Sequence, residues 1–461
     1  MREGLWVSLS TLVYLSALAG CGGSNTDGGD AATSLGTGVE NGETGDGNEG
    51  NSNSNSDGDG DGDPGDGDPG DGDGEPGDGD PDDDEGGTGP KWDLGTIPDS
   101  ANQGCGLGNG SPDFSYIWMA NSGQGTMTKL NTETMIEEGR YYVRPDGQGS
   151  PSRTTVSLSG NVAISARDGG GGVTKFWANL DDCEEQNGMP GLQTSTGAND
   201  ILQWNVEECH AWHQPFVGKN YWTNRPMAWA PGEFNEGTCE WYDEMVWTSG
   251  TGNQTEILLL DGETGDIAET VPLPQLNNAM LYGGAVDGDG NFWALEYASV
   301  LVRVDREDFT VQTWPIPPGP GYGIAVDVQG RVWTCGDGHA SRFDPDTEQW
   351  QTTPGASGGG IGGCMTDGET TLYHSRYPAG VMVAIDTESV TQIDEFVIPD
   401  YVHGVSVDFT GKVWGVTFAG SQVFRLDVET EQVDTYGGLT GAYTYSDMTG
   451  FGLSSVAQPS G

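Results

Sequence analysis

The sequence predicts an all-β protein, a seven-bladed β-propeller closed by pairing of a C-terminal strand with the N-terminal blade. Three observations carry this. A strand–turn–strand unit recurs with a period near forty residues. Each copy is followed by two more strand-like segments. The first blade lacks one strand, and a segment that reads like the missing strand stands at the other end of the chain.

The unit is clearest at Tyr322-Gly323-Ile324-Ala325-Val326-Asp327-Val328-Gln329-Gly330-Arg331-Val332-Trp333. It recurs from Tyr282 to Trp293 and from His403 to Trp414, and in a worn form from Gly362 to Tyr373. The glycines at 283, 323, 362 and 404 lie 40, 39 and 42 residues apart. A fixed period of this length marks a repeat architecture. Ile324, Val326, Val332 and Trp333 supply the apolar positions of two strands. The Asp-x-x-Gly between them is turn chemistry, with Asp bonding nearby backbone and Gly accepting positive φ. The leading Gly permits close backbone approach near an axis. The third strand ends in an Asp-led turn in Val302-Arg303-Val304-Asp305, Ser341-Arg342-Phe343-Asp344, Val383-Ala384-Ile385-Asp386 and Phe424-Arg425-Leu426-Asp427. Segments such as Thr310 to Trp314 supply a fourth. Four short antiparallel strands make one blade.

In chain order, residues 1–20 are a signal peptide: Arg2, then a mostly apolar run from Leu5 to Leu18 that is too short to span a bilayer. Leu18-Ala19-Gly20-Cys21 resembles the lipobox of bacterial lipoproteins. The resemblance implies cleavage before Cys21 and lipidation of it, with acyl chains giving a stable anchor. Residue 22 is Gly rather than Asp, which favours the outer membrane, on its periplasmic or cell-surface face. Residues 21–100 read as the lipidated Cys followed by a disordered Gly/Asp/Pro-rich linker. Between 22 and 90 there are 21 acidic residues and no Lys or Arg, and almost no large apolar residue to offset chain entropy. Of the net charge of −54, the rest of the chain keeps about −33. Nucleic acid and anionic membrane faces are therefore excluded as partners of the body, and the membrane is met only through the lipid.

The propeller occupies 101–461. Its first blade holds Tyr116 to Met119, Met127 to Asn131 and Gly139 to Val143, and the missing innermost strand is assigned to Tyr445 to Leu453. Blade two opens at Thr154 and carries an insertion at about 181–225. Blade three opens at Met227, and blades four to seven open at Gly283, Gly323, Gly362 and Gly404. The insertion leaves counts of six and eight open. Six cysteines remain for disulfides, Cys105, Cys183, Cys209, Cys239, Cys335 and Cys364, in any of fifteen pairings.

The Gly-x-Ala-Val-Asp-x-x-Gly-x-Val-Trp copies resemble the repeats of virginiamycin B lyase (streptogramin lyase) and related NHL-like propellers. The likeness covers about 280–453 well and 110–280 loosely. It implies a propeller, and for the lyases a His and a Glu that act with magnesium to open a cyclic depsipeptide. The lyase repeat typically ends Trp-Phe-Thr-Glu. Here the endings are Trp293-Ala294-Leu295-Glu296, Trp333-Thr334-Cys335-Gly336, Leu372-Tyr373-His374-Ser375 and Trp414-Gly415-Val416-Thr417, so only Glu296 keeps the acid.

The start of a blade's first strand and the end of its second lie on one face. That places His403, Tyr322 and Tyr282 with Glu296, Asp337, His339, His374 and Arg376. His403, His374 and Glu296 are the catalytic candidates. His210 and His213, in Glu207-Glu208-Cys209-His210-Ala211-Trp212-His213, are the metal candidates, and Asp181 to Gly188 looks like a degraded calcium loop. The two histidines would take zinc; no cofactor is assigned beyond the option of a divalent cation, Ca²⁺ or Mg²⁺. The leading expectation is a non-enzymatic, monomeric, surface- or periplasm-tethered module that binds a protein or glycan. The alternative is a streptogramin-lyase-like or hydrolytic enzyme using the His/Glu face.

Overall fold

A computed structural model describes residues 115–457, except 236, 239, 277, 278, 298 and 357–360. Cys21, the acidic linker, Cys105 and Cys239 lie outside the described residues. The fold is a seven-bladed β-propeller.

Blade one is a three-stranded sheet, Tyr116–Asn121, Thr126–Asn131 and Glu137–Tyr142. The remaining blades are four-stranded antiparallel sheets. Their innermost strands are Pro151–Val156, Thr223–Ala230, Leu281–Val286, Gly323–Val326, Cys364–Thr366 and Val402–Val407. A short hairpin, Glu233–Asn235 with Glu240–Tyr242, is added to blade three. Among the described residues no helix is long and apolar enough to cross a membrane.

The repeat chemistry extends beyond the turn. Asp327 Oδ1 accepts the backbone N–H groups of Gln329 and Arg331, both at 3.0 Å, which fixes the turn. Its Oδ2 accepts the indole N–H of Trp333 at 2.8 Å. Asp287 with Trp293 and Asp408 with Trp414 repeat the bond at 2.8 and 2.7 Å. One carboxylate thus joins the turn to the ring that fills the space between blades. A buried indole N–H needs such a partner. The apolar clusters lie between neighbours: Trp333 packs with Leu372 and Val383 of blade six, and Trp414 with Ile117 and Met119 of blade one. The glycines do sit where strands crowd. A Cβ on Gly323 would meet the Gly362 carbonyl at 2.7 Å.

Three expectations are corrected in detail. Aligned on Asp367, the repeat glycine of blade six is Gly363, and Gly362, at φ 130°, takes the place held elsewhere by Tyr282, Tyr322 and His403. The insertion runs from 177 to 209, since His210–Gln214 is the fourth strand of blade two and Thr223 begins blade three. It is held by the Cys183–Cys209 disulfide and by carboxylates rather than by an apolar core. Glu208 accepts the backbone N–H groups of Gln186, Asn187 and Gln193 at 2.7–3.0 Å.

The third correction concerns closure. The C-terminal segment pairs with blade one, but over 441–448 rather than 445–453. Ala442 bridges Asn121, the Tyr443 N–H donates to the Ala120 carbonyl at 3.2 Å, and Trp118 N–H donates to Met448 O at 2.9 Å. Beyond it, Phe451–Val456 is a helix, not strand. Asp447 ends the extended run by accepting the backbone N–H groups of Gly450 and Leu453 at 2.9 and 2.8 Å. Met448 and Leu453 are buried as expected, whereas Phe451 is half-buried. The second disulfide, Cys335–Cys364, joins blades five and six.

Candidate functional site at the axial mouth

The innermost strands of blades four and seven carry the same irregularity. Leu281 pairs with Glu296 and Gly283 with Leu295, so Tyr282 is bulged out. Val402 pairs with Thr417 and Gly404 with Val416, so His403 is bulged out. A bulge re-aims its side chain. Tyr322, just before its strand, takes the same place in blade five. The closing segment adds Tyr443 and Tyr445, and blades two and three add Arg153, Arg167 and Arg225.

These side chains form one network. Tyr322 OH lies 2.7 Å from His403 Nε2, 2.8 Å from Tyr443 OH and 3.1 Å from Tyr282 OH. Tyr282 OH and Tyr443 OH are 2.7 Å apart. Tyr401 OH lies 2.8 Å from His403 Nδ1. A neutral imidazole accepts from one phenol and donates to the other. Arg153 donates to the Tyr282 carbonyl at 3.1 Å and to Tyr445 OH, and its Cζ sits 3.3 Å from the Tyr445 ring centroid. Phe418 and Tyr297 rim the cluster, with Phe418 4.8 Å from the His403 ring and Tyr297 5.7 Å from Tyr322. They are 48% and 42% exposed, while Tyr322, Tyr445, His403 and Arg153 are buried.

Burial, reinforced by the Arg153 charge, pushes the His403 imidazole down to about 3. Burial raises Tyr282 and Tyr322. Tyr443 is the exception. Burial alone would raise it, but the Arg153 charge, the bonds from Tyr282 and Tyr322 and the Arg225 charge outweigh that and bring it to about 8. The three phenols share one hydrogen-bonded site, so this first ionisation belongs to the trio.

Of the residues expected on this face, the structure brings together His403, Tyr322 and Tyr282. His374 is buried, with Nδ1 3.1 Å from the Ser375 carbonyl, and burial pushes it down to about 4. The Glu296 carboxylate makes no hydrogen bond to the cluster among the described residues. His339 contacts Thr353, and Arg376 pairs with Glu395. Sequence reasoning missed Tyr443, Tyr445, Arg153, Arg167 and Arg225. One signal was present for the first two, since aromatic residues precede the repeat glycines at 283, 323 and 404.

His210 and His213 do lie close together, but around Trp204, whose ring centroid is 4.5 and 5.5 Å from theirs. His213 Nδ1 meets Thr174 Oγ1 at 2.8 Å, and Cys209 is consumed by its disulfide. Among the described residues no group of three or more His, Cys, Asp or Glu is placed to hold a metal. A cavity of about 540 Å³ lies at the opposite end of the strands, beside Asp287, Asp327 and Trp314. The first two carboxylates there are already taken by backbone and indole N–H groups.

No family model and no curated protein matches this chain. Solved structures do. Virginiamycin B lyase from Staphylococcus aureus is 15% identical, with a TM-score of 0.46, over 64% of this chain and 89% of that one. A catalytically inactive variant of that enzyme with quinupristin is 16% identical, with a TM-score of 0.45, over 62% and 83%. A functionally unknown protein from Desulfotomaculum acetoxidans is 10% identical, with a TM-score of 0.50, over 72% and 100%. At these identities the likeness is one of fold alone, and the chemistry rests on the side chains.

Proposed function

We propose that this protein is a tethered binding module that takes a glycan at the axial mouth. Lipid on Cys21 anchors it to the outer membrane, with the acidic linker between the anchor and the propeller. The observation that carries the binding reading is the make-up of the mouth. Aromatic rings converge there with guanidiniums, and the one central His is locked between two phenols. An imidazole held down to about 3 is far from the range in which a general base works at neutral pH. Among the described residues no carboxylate joins it to complete the His/Glu pair of the lyase alternative.

A glycan suits this mouth better than a protein surface does. The exposed rings at the cluster are few, Phe418, Tyr297 and Tyr377, and they lie beside buried phenols and guanidiniums. A protein interface would need a broad apolar core. The sugar face would stack on Phe418 and Tyr297, with hydroxyl groups meeting the phenols. The test is a glycan-binding screen on the full chain, followed by calorimetry with the double variant Phe418→Ala/Tyr297→Ala. Both side chains are about half exposed, so the fold should tolerate their loss. Affinity should fall by about tenfold or more, matching loss of two stacking contacts. Unchanged affinity in a folded double variant would remove the mouth as the site.

A further inference from the structure

The axial mouth holds three guanidiniums, and among the described residues no carboxylate pairs with any of them. Elsewhere among the described residues most Lys and Arg side chains are paired, as Arg331 is with Asp327 and Arg425 with Asp434, although Lys129, Arg306 and Arg342 form no ion pair. At the mouth they rest on rings instead. Arg167 Cζ lies 4.6 Å from the Tyr443 ring centroid, and Arg225 Cζ 4.6 Å from that of Tyr282. Arg153 is fully buried. Burying positive charge without a counter-charge is costly, and an apolar side chain of similar volume would pack the site at less cost.

Arg225 has a further feature. Its Nη1 reaches Tyr443 OH at 3.4 Å, but its Nε is buried with no acceptor. Thr223 Oγ1, Asn224 Oδ1 and Ser249 Oγ, on the same blade, are also buried without partners. Thr223, Asn224 and Ser249 are each at most 3% exposed. Asn224 faces the other side of the strand from Thr223 and Arg225, so of these atoms Arg225 Nε is the one tied to the mouth, through the Nη1 contact with Tyr443, and a buried N–H is nearly always satisfied. Arg153, by contrast, has a bond from each of its three nitrogens, to the carbonyls of Ser152 and Tyr282 and to Tyr445.

We propose that Arg225 and Arg167 bind a single carboxylate of the ligand, so that the glycan carries one carboxylated sugar in an otherwise neutral chain. This rests on the glycan reading above. The Nε–Nη edge of Arg225 matches the two oxygens of a carboxylate, while Arg167, whose Nε and Nη2 already donate to Ser150 Oγ, adds its charge and its Nη1. The limit to one charge follows from the rest of the molecule. A chain that keeps about −33 outside its linker repels a polyanion. The carboxylate would also change Tyr443, whose acidity is maintained by Arg153 and Arg225. An anion beside Arg225 cancels part of that field and returns the proton to the phenol.

The experiment titrates the full chain with D-glucuronate, D-glucose and acetate at the pH where Tyr443 is half ionised, about 8. Calorimetry gives affinity, and the ultraviolet tyrosinate band reports the phenol. Glucuronate should bind at least about tenfold tighter than glucose and should lower the tyrosinate band. Arg225→Gln should erase that preference. Equal binding of the two sugars by the wild-type protein overturns the inference, and that comparison needs no variant. A preference that survives in both Arg225→Gln and Arg167→Gln overturns it as well. If acetate and glucuronate lower the tyrosinate band equally and neither sugar adds affinity, the anion site stands and the glycan reading fails. If neutral glycans bind without preference for the acid, the glycan reading stands and this inference fails. No response to any probe removes both.

Discussion

Ring closure by the C-terminal segment gives the sharpest prediction. Deleting everything after Gly441 removes Tyr443, Tyr445, Met448 and Leu453, each at most 7% exposed. Burying one such side chain contributes about 1.5–3 kcal/mol, so the four together contribute roughly 6–12 kcal/mol. The deletion also unpairs the Trp118 N–H and the Ala120 carbonyl, at about 1 kcal/mol each. Domains are stable by roughly 5–15 kcal/mol, so the loss is of the order of the whole. A second deletion, after Gly450, calibrates the first. It removes the helix Phe451–Val456 but keeps the closing segment, and with Leu453 its only fully buried residue it should cost about 1.5–3 kcal/mol. Thermal unfolding of the full chain and both deletions, with limited proteolysis at room temperature, separates the cases. The shorter deletion should melt cooperatively at a modestly lower temperature. The longer one should be insoluble or rapidly cleaved. A longer deletion that melts cooperatively within a few degrees of the full chain would refute closure as argued here.

Three further outcomes are expected. His374 is held down to about 4 and His403 to about 3, both below an unfolded value near 6.5, so the unfolded chain takes up these protons first. Their stabilising contribution is complete above about pH 6.5 and is lost as pH falls toward 4, by about 3 kcal/mol for His374, which urea unfolding at pH 7 and 4.5 would register. Cys335→Ser with Cys364→Ser should cost about 2–4 kcal/mol, because the bridge closes a loop of 29 residues; an unchanged denaturant midpoint would contradict this. Cys21→Ser should release the protein from membranes into the soluble fraction, and continued partition into detergent would count against the lipid anchor.

How much was legible depended on how the residues encode their role. Blades four, five and seven announce themselves because one carboxylate has to satisfy both a turn and an indole, so Asp and Trp stay six residues apart. Blade six replaces that Trp by Tyr373 and loses the bond, and its register was misread by one residue there. The closing segment was legible as strand because Met448 and Tyr445 have the right apolar character. Its helix was not, because Gly452, Ser454 and Ser455 carry no periodic apolar stripe, and what starts the helix is the Asp447 carboxylate holding backbone N–H groups. The insertion misled for a related reason. Glu207 and Glu208 beside Cys209 and His210 look like ligands in a linear string. In three dimensions Glu207 accepts the Ser195 and Cys209 N–H groups, both at 2.9 Å, and serves the loop.

The axial site was half legible, and the half that was missed decides its chemistry. Repeat logic located Tyr282, Tyr322 and His403, because all three precede a repeat glycine. Read alone, a His on the face where repeated strands begin suggests a base, and Glu296 on the same face suggests its partner. The residues that change that reading lie on the copies the repeat does not mark. Arg153 and Arg225 sit on blades two and three, whose inner strands lack the glycine and the Asp-x-x-Gly turn, and Tyr443 sits on the strand that crosses from one end of the chain to the other. Their effect is electrostatic and opposite to what a His/Glu pair needs. Arg153 helps hold His403 neutral and, with Arg225, favours a charged Tyr443. A base flanked by a carboxylate would gain affinity for a proton; this imidazole has lost it. Burial, reinforced by the Arg153 charge, holds His403 neutral, and on the same face Arg225 Nε is left without an acceptor, so the bound anion we propose rests on Arg225 and not on the histidine.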